Sequence, residues 1–254
     1  VLSNWKLLLA IFAIVITSTY LYLRYTTPMY EGSVKIIIKD DENTTSGLSE
    51  TSAFEDLKIM QFNNSIENEK SVITSRTIMG HVVDSLEIDV ILKSIGGVTG
   101  LTKRDLYGVS PIEIDILDTL QTRENIAFKF IIKLLNEQKA QIVNINGEVI
   151  KGIEYGKSYF FKACNCNLTI KKTNHFDKKF IGNQIQVNKY HKKDVISELL
   201  NQLNVEQLVS NGSILNISIQ NASSQKAIDI LNTLIIKYNE DVVKDKTLIT
   251  KNTD

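Results

Sequence analysis

The chain carries no excess of basic charge, and this bears on its partners. Its 29 Lys and Arg residues balance its 29 Asp and Glu residues, so the formal net charge is zero. Proteins that bind nucleic acid owe much of their affinity to basic residues that face phosphates. We therefore expect no nucleic-acid partner. The neutral sum hides two uneven stretches. Residues 39–70 hold eight acidic and three basic residues, whereas residues 171–193 hold seven lysines and a single acidic residue, Asp177.

Catalytic motifs are also absent from the sequence. The chain has three histidines and shows neither an H-E-x-x-H nor a G-x-S-x-G pattern. The segment Gly152–Ser158 resembles a phosphate-binding loop but has too few residues between its glycines, and Tyr159–Phe161 favours a strand where that loop opens a helix. We predict a hairpin turn there. For these residues we expect no enzyme activity, no catalytic residue, no cofactor and no metal.

Cysteine is scarce, with Cys164 and Cys166 the only two. In a strand their side chains would lie on the same face, with Cα atoms near the upper distance limit for a disulfide. We interpret them as ordinary small residues of a strand. A metal site formed with His175 is disfavoured, because structural zinc usually takes four ligands at wider spacings.

What the sequence does have is a long uncharged apolar run, Leu7–Leu23. At about 1.5 Å per helical residue it spans roughly 25 Å, close to the ~30 Å hydrocarbon core of a bilayer. Aromatic and basic residues flank the run, as a membrane interface favours. We predict a retained membrane anchor, assigned to Trp5, Lys6, Leu7, Leu23, Arg24 and Tyr25. The flanking charges do not decide its orientation.

Two alternatives to an anchor fit the apolar run less well. A cleaved signal peptide usually has a shorter apolar core followed by a small-x-small site, whereas this run ends in Tyr20, Tyr22, Arg24 and Tyr25. A core helix of a soluble protein would have to bury every face. Because the chain begins with Val1, we expect it to be a piece of a longer protein.

The sequence after the anchor predicts an α+β fold. Tyr30–Lys39 is typical of a strand, and Asp40–Ala53 is typical of an exposed loop. From Ser65 to about Leu86 a helical period predicts one long amphipathic helix with Asn64 as its N-cap. Near the end, Ser213–Gln220 predicts a strand. A helical stripe from Ala227 to Val242 predicts a long last helix that continues beyond the end of the sequence.

The middle third predicts an antiparallel β section with turns at Asn146-Gly147 and Tyr155-Gly156. Ile126–Leu135 also fits a buried helix. The predicted strands are Ile112–Leu117, Ile126–Leu135, Gln141–Ile145, Ser158–Ala163 and Leu168–Lys171. We divide the chain into an anchor (1–27), a first α/β part (28–110), the β-rich section (111–193) and a second α/β part (194–254).

The lysine-rich stretch is a candidate contact for a glycan or another anion. A solvated loop or hairpin is the alternative, because charged runs usually just face water. The candidate residues are Lys171, Lys172, Lys178, Lys179, Lys189, Lys192 and Lys193.

In this order, the segments resemble the Wzz-type polysaccharide co-polymerases, or chain-length determinants, and within them the tyrosine autokinase branch. The resemblance is carried by the apolar run with Pro28-Met29-Tyr30, the strand Glu31–Lys39, the stretch from Ile66–Glu69 through Ser75-Arg76 to Val82–Leu86, the tract Tyr107–Ile112, and Ala227–Asn232 with Tyr238. An Asp-Pro common before that last helix is replaced here by Asn221–Ser224. The second span and the kinase region of that branch are not among these residues.

The resemblance implies an inner-membrane protein whose α+β domain stands in the periplasm and forms a ring-like homo-oligomer. It would set polysaccharide length by binding and geometry in capsule, exopolysaccharide or O-antigen assembly. The implied partners are the membrane, a polymerase, an outer-membrane export channel and a lipid-linked glycan. Two hypotheses from other classes are the ligand-binding ectodomain of a membrane sensor and a periplasmic adaptor of an export pump.

Overall fold

A computed structural model of the chain describes residues 5–26, 28–38, 66–96, 102–116, 126–162, 165–208 and 213–251. The fold is α+β, as predicted. The helices are α1 (Trp5–Tyr25), α2 (Arg76–Leu86), α3 (Lys192–Gln202) and α4 (Ser224–Lys251), with a further helical segment at residues 66–73 and a 3-10 helix at Lys178–Phe180. The strands are β1 (Tyr30–Ile37), β2 (Val90–Gly96), β3 (Thr102–Asp105), β4 (Ile112–Ile116), β5 (Phe128–Leu134), β6 (Lys139–Val143), β7 (Val149–Glu154), β8 (Ser158–Phe161), β9 (Cys166–Lys172), β10 (Gln184–Lys189), β11 (Leu203–Gln207) and β12 (Ile214–Asn221).

Helix α1 coincides with the predicted anchor. Over Trp5–Leu23 its mean hydropathy is 1.9 and none of that window is buried against the rest of the chain. The alternative of a soluble core helix is therefore wrong, because such a helix would be covered by other elements. By length and composition, α1 is suited to cross a membrane.

The first of two hydrophobic cores, here called the base core, is built from both ends of the chain. Strand β1 pairs antiparallel with β12 along its whole length, and β11 pairs with the other side of β12. Helices α2, α3 and α4 and the helical segment 66–73 supply most of the other buried side chains. Leu215 and Ile217 of β12 and Leu234 of α4 are fully buried. The predicted strand before α4 and the apolar stripe of α4 are confirmed.

Gly32 of β1 lets α4 approach the sheet closely. A Cβ at this position would lie 3.2 Å from Leu231 Cδ1 and 3.3 Å from Ala227 Cβ. We expect Gly32→Val to lower the free energy of unfolding by about 1–3 kcal/mol, because overpacking forces the helix and the strand apart. Urea unfolding of the chain in detergent measures the change. Gly152→Val is the matched control, since a Cβ there meets nothing within 4 Å, and an equal loss in both variants would contradict the packing explanation.

The prediction of one continuous helix from Ser65 to Leu86 is wrong. Helical residues 66–73 are followed by a turn, and α2 begins anew after Ser75. Ser75 is extended (φ −71°, ψ 147°) and its hydroxyl accepts a hydrogen bond from the Ile78 N–H at 3.2 Å. This is the conformation of an N-cap, which a serine supplies readily. The predicted end near Leu86 is confirmed, and the proposed cap Asn64 and the loop Asp40–Ala53 lie outside the described residues.

The second core, here called the β core, lies between a six-stranded sheet (β3-β2-β10-β5-β6-β7) and a three-stranded sheet (β4-β9-β8). Alternate residues of β4, β5, β6, β9 and β10 enter it, as a strand with one buried face requires. In β4 these are Ile112, Ile114 and Ile116, and the same alternation in Phe128–Leu134 shows that the ambiguous apolar run is a strand. The predicted β section is confirmed.

Two glycines with positive φ mark the predicted turns. Gly147 (φ 87°) lies between β6 and β7, which pair as a hairpin. Gly156 (φ 81°) joins β7 to β8, which belong to different sheets, so this is a crossing between sheets and not a hairpin. The segment Gly152–Ser158 is therefore a strand and a turn, which agrees with rejecting it as a phosphate-binding loop.

Strand β10 is the element that the sequence reasoning missed most clearly. The solvated loop predicted as the alternative for the lysine-rich stretch is wrong for residues 184–189, which lie in the middle of the six-stranded sheet between β2 and β5. Its strand character is not apparent from the sequence, because several of its residues are polar although they are buried. Inside the protein, the Gln186 side-chain amide donates a hydrogen bond to Asn188 Oδ1 at 2.8 Å.

Cys166 of β9 is fully buried and disulfide-bonded. The interpretation of the two cysteines as ordinary small residues is therefore wrong for Cys166. Cys164 lies outside the described residues. Within the described ranges, no three His, Cys, Asp or Glu residues are grouped to hold a metal ion.

Candidate functional site: a cleft between the two cores

The seven lysines of the candidate stretch do not form one basic surface. They are spread over β9, the 3-10 helix, β10 and the start of α3. Five of them are in ion pairs: Lys171 with Asp115, Lys178 with Glu137, Lys179 with Asp177, Lys189 with Asp89 and Lys192 with Asp84. Lys172 lies over the Phe176 ring, and Lys193 is exposed on α3. Paired and scattered charges of this kind give only a weak local field for an anion.

Lys189 differs from the other six because it is inside the protein. Its side chain is fully buried, and its Nζ lies 2.5 Å from Asp89 Oδ2 and donates to the Tyr190 carbonyl at 3.0 Å. The pair lies where the chain passes between the cores, since Asp89 stands between Ile88 of the base core and β2. Lys189 is therefore not accessible to a glycan.

Two tyrosines that carry the family resemblance form hydrogen bonds between distant parts of the chain. Tyr238 of α4 donates to Glu69 at 2.6 Å, and Tyr107 donates to Asp229 at 3.0 Å. Burial, and then the hydrogen bond to a carboxylate, raises the pKa of both phenols. Both tyrosines therefore remain donors at any physiological pH. A third motif residue, Ala227, is fully buried beside Gly32.

A cleft of about 330 Å³ lies where the base core and the β core meet. The end of α2 and the first turn of α4 form one side of it, and β2 and β4 form another. The tract Tyr107–Ser110 runs along it and turns at Gly108 (φ 72°). Asp105 holds the start of this tract, because its Oδ1 accepts a hydrogen bond from the Tyr107 N–H at 2.9 Å.

Lys226 is the unusual side chain of this cleft. It is only 7% exposed, and its Nζ lies 5.8 Å from the centre of the Tyr107 ring. Burial lowers the pKa of Lys226, and the nearby carboxylates of Asp105 and Glu198 oppose that shift. Nothing in the sequence marks this site, because Lys226 is one of many charged residues on the polar face of the last helix.

The lining of the cleft therefore contains a cationic donor, anionic acceptors and apolar side chains. Its ammonium donor is Lys226, its acceptors include Asp105 and Glu113, and apolar side chains such as Leu106 and Ile88 line the rest. A small apolar cavity with a few convergent polar groups is the usual form of a small-molecule site. None of the seven candidate lysines lies in its lining.

Comparison with known proteins places one family on part of the chain. The Wzz family, described as chain length determinant protein, matches residues 1–86, about one third of the 254 residues. No curated protein matches the chain. Among solved structures, the crystal structure of Xanthomonas campestris FlgL aligns with 9% identity and a TM-score of 0.23, over 65% of this chain and 53% of that one. At that TM-score the likeness carries no argument, whereas the match to residues 1–86 supports chain length determination in polysaccharide assembly.

Proposed function

We propose that these residues form the membrane anchor and periplasmic domain of an inner-membrane protein that controls the length of a surface polysaccharide. The observation that carries the proposal is the Wzz match over residues 1–86. It covers α1, β1, the helical segment 66–73 and α2, which are successive parts of one anchored unit.

The base core explains how this matched region works together with the end of the chain. Strand β1 finds its only described partner strand in β12, and α2 packs against α4. As one unit, the base core therefore holds strand β1 and helix α4 together. In our proposal several copies of this unit assemble as a homo-oligomeric scaffold, and the scaffold's geometry sets the length.

Helix α1 supports a position next to the membrane, and a disulfide supports the periplasmic side. Helix α1 can cross a membrane, and β1 begins a few residues after it ends. The disulfide at Cys166 fits an oxidising compartment, because disulfides persist in the periplasm and are rare in the cytosol. The proposed partners are the membrane, a lipid-linked glycan, a polymerase and an outer-membrane export channel. We assign no catalytic step to these residues, and a cytoplasmic autokinase region would belong to the complete gene product.

The length distribution of surface polysaccharide, resolved on a gel, tests the proposal. We expect a strain lacking the gene to lose its preferred length and the complete gene product to restore it. Unchanged length and amount after deletion would contradict the proposal and favour the ectodomain of a membrane sensor.

A further inference from the structure

The ammonium of Lys226 has no hydrogen-bonding or ion-pair partner among the described residues. The side chain lines the cleft and is only 7% exposed, and its Nζ lies over the Tyr107 ring at 5.8 Å from the ring centre. Lysine side chains buried to this extent are normally paired, because removing an ammonium from water is costly. Elsewhere in this chain the fully buried Lys189 has a carboxylate at 2.5 Å.

The charges around the cleft decide which class of ligand fits. Asp105 and Glu113 lie in the lining, whereas Lys226 and His175 are the basic residues of its described part. The two carboxylates outweigh the one ammonium, so an anion entering the cleft would meet net repulsion. A neutral ligand with several hydroxyl groups avoids that repulsion. Its oxygens can accept from Lys226 while its O–H groups donate to a carboxylate.

The remaining lining suits the same class. The Tyr107 ring and the half-buried side chains of Val90 and Leu92 supply apolar surface beside the polar groups. A pyranose ring has C–H faces that pack on such surface and hydroxyl edges that need donors and acceptors together. At about 330 Å³ the cavity is at the small end of the range for ligand sites, which fits one sugar unit better than a long chain segment.

We propose that the cleft binds a neutral hexose unit, with Lys226 donating to its hydroxyl oxygens and Asp105 accepting from a neighbouring hydroxyl. This deepens the proposed function. The identification of the hexose as part of the lipid-linked glycan rests on that function. The binding itself does not depend on that function.

Saturation-transfer NMR on the complete protein in detergent tests the proposal. The probes are the methyl glycosides of glucose, galactose and mannose, each alone, and sodium phosphate as the anionic comparison. We expect at least one glycoside to bind and phosphate not to bind. Lys226→Met should weaken glycoside binding at least about tenfold, because a hydrogen bond from a charged donor is lost.

Lys103→Met is the matched control, because Lys103 is an exposed lysine of β3 outside the cleft lining. It should leave glycoside binding unchanged. Asp105→Asn keeps an acceptor oxygen while removing the charge, so it should bind more weakly than wild type but more tightly than Lys226→Met. Thermal melts of the variants establish that each is folded.

Three results would overturn the proposal: no glycoside binds, phosphate binds at Lys226, or Lys226→Met binds as tightly as wild type. Each is independent of the polysaccharide gel. If the glycoside binds and deletion of the gene leaves polysaccharide length unchanged, the proposed function fails while the sugar site stands. The reverse pair of results removes the sugar site and leaves chain-length control intact.

Discussion

Asp89→Ala is expected to lower the free energy of unfolding by about 3–5 kcal/mol. The variant leaves the fully buried Lys189 ammonium without its carboxylate, and an uncompensated buried charge is among the most damaging single changes. Among the described residues, the Tyr190 carbonyl at 3.0 Å is then the remaining acceptor. Urea unfolding of the chain in detergent at neutral pH measures the loss.

The chain offers a matched control on its surface. Glu137 pairs with Lys178 at 3.4 Å, but these side chains are 53% and 82% exposed, so Glu137→Ala should change stability by less than about 1 kcal/mol. Adding Lys189→Met to Asp89→Ala should recover a large part of the loss, because the stranded charge is then removed. A small effect of Asp89→Ala, or no recovery in the double variant, would contradict a tightly paired interior site.

Leu215→Ala is expected to cost about 2–5 kcal/mol and to act mainly on the base core. Leu215 is fully buried in β12, so the truncation removes buried methyl groups and leaves a cavity. Because the two cores are separate clusters of side chains, amide hydrogen exchange should quicken first in β1, β12 and α4. Protection in β5 and β6 should change much less.

Leu134→Ala provides the mirror experiment. Leu134 is also fully buried, but in the β core. It should cost a similar amount and quicken exchange in β5 and β6 while β12 stays protected. Equal loss of protection in both cores from either variant would show that they unfold as one unit and contradict the division.

Much of the fold could be predicted from local patterns of apolar residues in the sequence. The strand at Ile214–Asn221, the stripe of α4 and the alternation in β4 each place apolar residues on one face, and each forms the predicted element. The break before α2 was not predicted, because Ile66, Ile73, Met79 and Val83 keep an apolar stripe on both sides of it. Only the Ser75 side chain signals the new start, and a single serine is a weak signal.

Local sequence patterns did not predict which distant segments pair with each other. The polar residues of β10 predict exposure, and only the pairing with β2 and β5 makes their burial possible. The ion pair of Asp89 and Lys189 joins residues one hundred positions apart. Lys226 likewise becomes distinctive only when folding brings Tyr107 and Asp105 to it. The family resemblance singled out Tyr107, Ala227 and Tyr238, and the structure gives these residues packing and hydrogen-bonding roles in the base core.

The central claim is that this region of the protein controls polysaccharide length. The most direct test is a gel of surface polysaccharide from a deletion strain that carries the complete gene product, either intact or with residues 28–251 excised. Immunoblots of the membrane fraction should show that both proteins are present in equal amounts. We predict a preferred length only with the intact region. The same preferred length from the excised protein would contradict the account.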